Sequence, residues 1–121
     1  MYTVDLHIKG ATTNTALYDL EQGIKLARNS KERVICFIVG YGSSGGTHKI
    51  KSAVIDELES KIKKNQIKEY ILGNEIDMFN FKYLNMKFKS LIPDDVKKRR
   101  NPGEIIVIIK IIILYKIIFF C

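Results

Sequence analysis

Cysteine is scarce in this sequence, and no targeting segment is visible at its start. The only two cysteines are Cys36, inside an apolar run, and Cys121, the last residue. Neither belongs to a CxxC or a Cys/His spacing, so the sequence lacks a disulfide framework and a zinc motif. The first residues carry neither the basic nor the apolar region of a signal peptide. We therefore expect a cytoplasmic protein.

Acidic residues are also in short supply, and the excess of positive charge lies in one half of the chain. The 121 residues include 20 Lys+Arg and 13 Asp+Glu, for a net charge of +7. Residues 1–60 hold seven of each sign, whereas residues 61–121 hold 13 basic and 6 acidic residues. This balance favours a polyanion or a membrane surface as partner.

The order of the apolar patterns predicts an α/β fold in a single domain over residues 1–110. We expect a two-layer sandwich of a mixed sheet of about four strands and two main helices. One helix carries its apolar face on Ala16, Leu20, Ile24 and Ala27, with Thr12, Thr13 or Asn14 as its N-cap. The remaining predicted elements are strands over 4–8, 34–39, 68–72 and 104–110, a helix over about 47–65, and an irregular insert over 74–100 with a short helix.

The tail over residues 111–121 is almost wholly apolar. Together with the strand before it, it makes a 17-residue apolar stretch that only Lys110 and Lys116 interrupt. A membrane-spanning helix needs about 20 apolar residues. We expect residues 104–110 to complete the sheet and the tail to form an extra strand or to lack structure, while a membrane anchor is the alternative.

A glycine-rich loop follows the second predicted strand, over residues 40–46. It satisfies GxGxxG, but the strand is not the first one and the chain is short for a doubly wound dinucleotide fold. It also misses the P-loop pattern, because Gly46 stands where the lysine should be. A glycine turn before a helix still favours an anion such as a phosphate. The predicted phosphate-binding residues are Gly40, Tyr41, Gly42, Ser43, His48, Lys49 and Lys51, and a turn without a ligand is the alternative.

The segment Asp5-Leu6-His7 is the second candidate for chemistry. In a strand, Asp5 and His7 point to the same face about 7 Å apart. A carboxylate and an imidazole can share general acid/base work or hold a divalent metal. The alternative is a polar strand face with a satisfied histidine.

These segments together resemble the small MutS-related (Smr) domain. That family has a (L/V)-D-L-H strand end, matched by residues 4–7, and an Ala-Leu-x-x-Leu helix, matched by residues 16–20. Its G-x-G loop and following helix are similar to residues 40–54, and its closing turn and strand to residues 101–108. The resemblance covers about residues 3–110. It implies a fold similar to the C-terminal domain of translation initiation factor three.

The resemblance also implies nucleic-acid binding, often with endonuclease activity on DNA or RNA. In that picture Asp5 and His7 cleave the phosphodiester bond, with Mg²⁺ or Mn²⁺ as the cofactor if a metal is used. The basic run that ends in Arg99 and Arg100 would extend the track for the nucleic-acid backbone. The alternative is a non-catalytic module that binds nucleic acid or the ribosome, because Val39 stands where the family commonly has His or Thr.

Overall fold

The computed structural model describes residues 1–7, 10–40 and 45–110, without the side chains of 45–48. The predicted positions Tyr41, Gly42 and Ser43, the side chain of His48 and the tail over 111–121 therefore lie outside the described residues.

Four strands form one mixed sheet, as the sequence predicts. The order across the sheet is β1-β2-β4-β3. The first two strands are parallel, and β4 is antiparallel to both of its neighbours. β4 lies between β2 and β3, and its six residues are all buried because both faces of the sheet are covered. The strand bounds are Tyr2–Asp5 for β1, Val34–Ile38 for β2, Ile67–Leu72 for β3 and Glu104–Ile109 for β4.

Two long helices cover one face of the sheet. The first, α1 (Thr13–Asn29), begins at the N-cap Thr12, whose hydroxyl accepts a hydrogen bond from the backbone N–H of Thr15. The second, α2 (Gly45–Lys63), begins within the predicted glycine-rich loop. Their apolar stripes bury Leu20 and Val54 completely, and the predicted core face of α1 is confirmed.

The insert covers the opposite face of the sheet. It comprises two short helices, α3 (Phe81–Leu84) and α4 (Asp94–Arg99), and two 3-10 turns, Gly73–Glu75 and Lys89–Leu91. A second apolar cluster joins the insert to the sheet through Ile71, Ile76, Met86, Ile92, Val96, Ile106 and Ile108. The two-layer α/β sandwich is confirmed, and the insert is a cover on the far side of its sheet.

Candidate functional site

The ends of β1 and β2 lie side by side at one edge of the sheet. Asp5 is in register with Ile38, and the backbone N–H of Leu6 donates to the carbonyl oxygen of Ile38 at 2.8 Å. Both long helices begin at this edge, since each follows one of these parallel strands. The positive ends of two helix dipoles therefore face the same region. We call this region the site edge.

Asp5 and His7 both lie at the site edge, but not in the predicted geometry. The first strand ends at Asp5, so the prediction of a strand through residue 8 is wrong at His7. Asp5 Oδ1 accepts the backbone N–H of His7 at 2.8 Å, which turns the chain away from the sheet. Leu6, between them, is 1% exposed and anchors the turn in the core, whereas Asp5 and His7 are both exposed. The Asp5 carboxylate thus lies against the backbone of His7, and both residues are exposed at this edge.

Gly40 follows β2 and lies against the turn that precedes β4. Its φ of +78° is one that side chains rarely permit. The adjoining N–H of Val39 donates to the carbonyl oxygen of Gly103 at 2.8 Å. A Cβ on Gly103 would lie 3.0 Å from the carbonyl carbon of Gly40, so the two backbones need glycine to approach this closely. The loop that begins at Gly40 is therefore fixed at its first residue.

Lysine side chains on α2 contribute to the site edge in different ways. Lys51 Nζ donates to the carbonyl oxygen of Pro102 at 2.9 Å and fastens the helix to the turn before β4. Lys49 is exposed one half-turn earlier. Of these two predicted phosphate ligands, Lys49 presents its ammonium group to solvent and Lys51 already has a protein acceptor.

The two arginines of the basic run are both held in ion pairs. Arg99 bridges Asp95 at 3.2 Å and the buried Glu104 at 3.1 Å. The hydrogen bond to Glu104 raises the pKa of the Arg99 guanidinium. Arg100 pairs with Asp77 and remains 54% exposed. Arg99 ties the insert to the start of β4, whereas the Arg100 pair lies within the insert, and Arg100 keeps more surface for an external anion.

The insert reaches the site edge through contacts that the sequence analysis missed. Gly73 lies close against Asn101: a Cβ added to Gly73 would be 2.2 Å from the backbone carbonyl oxygen of Asn101. The Asp77–Arg100 pair adds a second connection. Beyond Asp77, Met78, Phe79 and Phe81 are exposed. In the sequence, this exposed group shows as an aromatic-rich stretch that fits neither a helical nor a strand period.

Comparisons with known proteins assign this chain to no family. No family model, no curated protein and no solved structure matches it. Within the described residues, no group of three or more His, Cys, Asp or Glu side chains is placed to hold a metal ion. Across the same ranges, no helix combines the length and apolarity needed for a bilayer crossing.

Proposed function

We propose that the site edge binds the sugar–phosphate chain of a nucleic acid and that Asp5 and His7 cleave a phosphodiester bond there. One observation carries the proposal: β1 and β2 end side by side in parallel register, so the exposed Asp5, and the turn to His7 that it holds, lie at the same sheet edge as Gly40. The Smr resemblance and the similarity to the C-terminal domain of translation initiation factor three, both predictions from the sequence, agree with this assignment.

The proposed reaction is hydrolysis with His7 as general acid and base. Water adds to phosphorus while the bond from phosphorus to one bridging sugar oxygen breaks. The imidazolium of His7 gives its proton to the leaving oxygen, and the imidazole recovers a proton from the attacking water. Asp5 orients the imidazole; if Mg²⁺ or Mn²⁺ were bound, the Asp5 carboxylate would be a ligand and the metal would polarise the phosphate.

Binding of the phosphate chain would draw on the charge around this chemistry. Lys49 is exposed, and the N-termini of α1 and α2 favour a negative group at the same edge. The net charge of +7 attracts a polyanion over a longer range. We therefore expect the affinity to fall steeply as the salt concentration rises.

A cleavage assay tests the catalytic part of the proposal. Purified protein is incubated with single- and double-stranded RNA and DNA, with and without Mg²⁺ or Mn²⁺. We expect His7→Ala to slow cleavage by about 10²- to 10⁴-fold, because general acid/base catalysis contributes that much. Asp5→Asn is compared with Asp94→Asn, whose side chain is 90% exposed on α4. Cleavage that His7→Ala leaves unchanged would remove His7 from the mechanism.

A non-catalytic binding module is the second candidate function. It is favoured by the engagement of Lys51, Arg99 and Arg100 with protein partners, which reduces the charge ready to stabilise a transition state. It predicts salt-sensitive binding, no cleavage under any metal condition, and an unchanged affinity in His7→Ala.

A further inference from the structure

Four large apolar side chains are exposed to solvent in one seven-residue segment of the insert. Met78 is 74% exposed, Phe79 93%, Phe81 81% and Leu84 40%. Single exposed apolar residues are ordinary on protein surfaces, but a contiguous group marks an interaction site. We call this group the aromatic turn, residues 78–84.

The aromatic turn is held in place rather than left loose. Asp77 Oδ1 accepts the backbone N–H of Phe79 at 2.9 Å. Asn80 donates its own N–H to the carbonyl oxygen of Asp77 at 3.0 Å, and its side chain caps α3 by accepting the N–H of Tyr83 at 3.1 Å. On either side, Ile76 and Met86 are buried against the sheet. The rings of Phe79 and Phe81 therefore stand out from a fixed support.

The same support joins the aromatic turn to the site edge. Asp77, which fixes Phe79, is also the ion-pair partner of Arg100. Arg100 directly precedes the Asn101–Gly103 turn, which packs on Gly40 and Gly73. Since neighbouring strands are about 4.8 Å apart, the ends of β1 and β3 are separated by roughly 14 Å along this edge. A chain of a few nucleotides spans the distance between these two strand ends.

The charge around the aromatic turn favours an anionic partner. Residues 73–100 contain seven basic and four acidic residues, a local excess of three positive charges. Lys87 and Lys98 are exposed on this insert, as is Arg100 in part. An apolar protein partner would gain nothing from this excess, whereas a nucleic acid offers both phosphates for the cations and base faces for the rings.

We propose that Phe79 and Phe81 stack on neighbouring unpaired bases of a single-stranded nucleic acid whose backbone continues to the site edge. This inference rests on the proposed function and adds its substrate class. The two residues are two positions apart, so their Cα atoms are separated by no more than about 7 Å, which suits successive bases of one strand. A duplex keeps its base faces stacked inside and offers none to the rings, so the turn selects single strands.

Fluorescence anisotropy with a labelled oligouridylate and with a duplex of equal length tests this inference. We expect the double variant Phe79→Leu/Phe81→Leu to bind the single strand at least about tenfold more weakly, because base–aromatic stacking is lost while apolar surface is kept. Phe79→Trp/Phe81→Trp should keep the affinity. Tyr18→Leu is the matched control, since Tyr18 is 64% exposed on α1, on the opposite face of the sheet. Duplex binding should be equal in all four proteins.

The outcomes separate this inference from the function on which it rests. Binding to neither probe by the wild-type protein would overturn both. Binding to the duplex alone, or single-strand binding that Phe79→Leu/Phe81→Leu leaves unchanged, would overturn the stacking inference and leave the proposed function standing. A wild-type dimer in sedimentation that Phe79→Ser/Phe81→Ser turns into a monomer would assign the aromatic turn to self-association and overturn the inference.

Discussion

Cys36 illustrates how one residue reports on the interior of the sheet. It lies in β2 with no exposed surface, on the face that the insert covers. Burial raises the pKa of its thiol from 9.0 to about 12, and the neighbouring Glu104 carboxylate adds to the rise. Burial and a hydrogen bond to Glu59 also raise the pKa of Tyr70 on β3. Both groups hold their protons more tightly in the folded protein than in the unfolded chain.

We therefore expect the free energy of unfolding to fall as the pH rises above about 9. A raised folded-state pKa means that the stabilising contribution is complete below the unfolded-state pKa of 9.0 and is lost towards the folded value of about 12. Urea unfolding measured across this alkaline range should show a smaller loss in Cys36→Ala, and again in Tyr70→Phe, than in the wild type. Parallel curves for all three proteins would contradict the assignment.

Sequence patterns predict single residues well where the neighbours along the chain determine the environment. The buried positions Leu20, Ile24 and Val54 follow from helical spacing alone. The surroundings of Gly73 and Lys51 do not follow from local spacing. Gly73 packs against Asn101 and Lys51 donates to Pro102, and both partners are far away in sequence. Such contacts depend on the order of strands in the sheet, which the local pattern does not contain.

At the scale of elements, a partly buried ion pair joins the two long helices. Lys61 on α2 is 4% exposed and contacts both Glu21 on α1 and Glu57 one turn earlier on its own helix. A buried ammonium group without its carboxylate is costly, whereas an apolar side chain of similar length in the same place is not. The pair therefore fixes how the helices meet more than it adds net stability.

We expect Glu21→Gln to lower the free energy of unfolding by about 1–2 kcal/mol, because it leaves the charge of Lys61 with less compensation. Lys61→Met removes that charge and keeps the packing of the stem, so its effect should stay within about 1 kcal/mol. Chemical denaturation of both variants measures this difference. Asp94→Asn, which removes an exposed pair with Lys97, is the control. A larger loss in Lys61→Met than in Glu21→Gln would contradict this account.

The insert shows why some elements escape prediction. Its two helices have four and six residues, and each 3-10 turn has three. Such short elements cannot display a 3.6-residue period, so only a short helix and an irregular course were predictable. The prediction of a strand over residues 4–8 was also wrong. The alternation of side chains suggested a strand through His7, but the Asp5 carboxylate offers the backbone N–H of His7 an alternative hydrogen bond.

At the scale of the whole molecule, two apolar clusters share one strand. Val107 of β4 belongs to the cluster beneath α1 and α2, whereas Ile106 and Ile108 belong to the cluster beneath the insert. The alternation of one strand thus joins both halves of the interior. The fold should behave as a single cooperative unit in spite of its two separate cores.

We expect Ile92→Ala in the insert to destabilise the two long helices, on the other face of the sheet, as much as the insert itself. The side chain is 2% exposed, and its truncation should cost about 2–5 kcal/mol. Hydrogen exchange should show equal losses of protection in α1, on the helical side, and in α4, within the insert. Leu84→Ala, at a side chain that is 40% exposed, is the control with little effect. Two separate unfolding transitions would contradict the expectation.

The site edge was predictable in outline and not in detail. The apolar patterns predicted the first two strands themselves, and their parallel pairing in the structure brings Asp5 and Gly40 to one edge. The ion-pair partners of Arg99 and Arg100 were not predictable, because a run of basic residues looks the same in sequence whether or not carboxylates from elsewhere reach it.

The place of β4 has a consequence for how the protein is made. Its residues, Glu104–Ile109, come after the other three strands along the chain, yet they separate β2 from β3 in the sheet. During synthesis, β2 and β3 lack their shared neighbour until residues 104–109 have left the ribosome. A nascent chain halted before Glu104 would leave unpaired the edges of β2 and β3 that β4 covers in the folded protein. We expect a chaperone to bind such a chain.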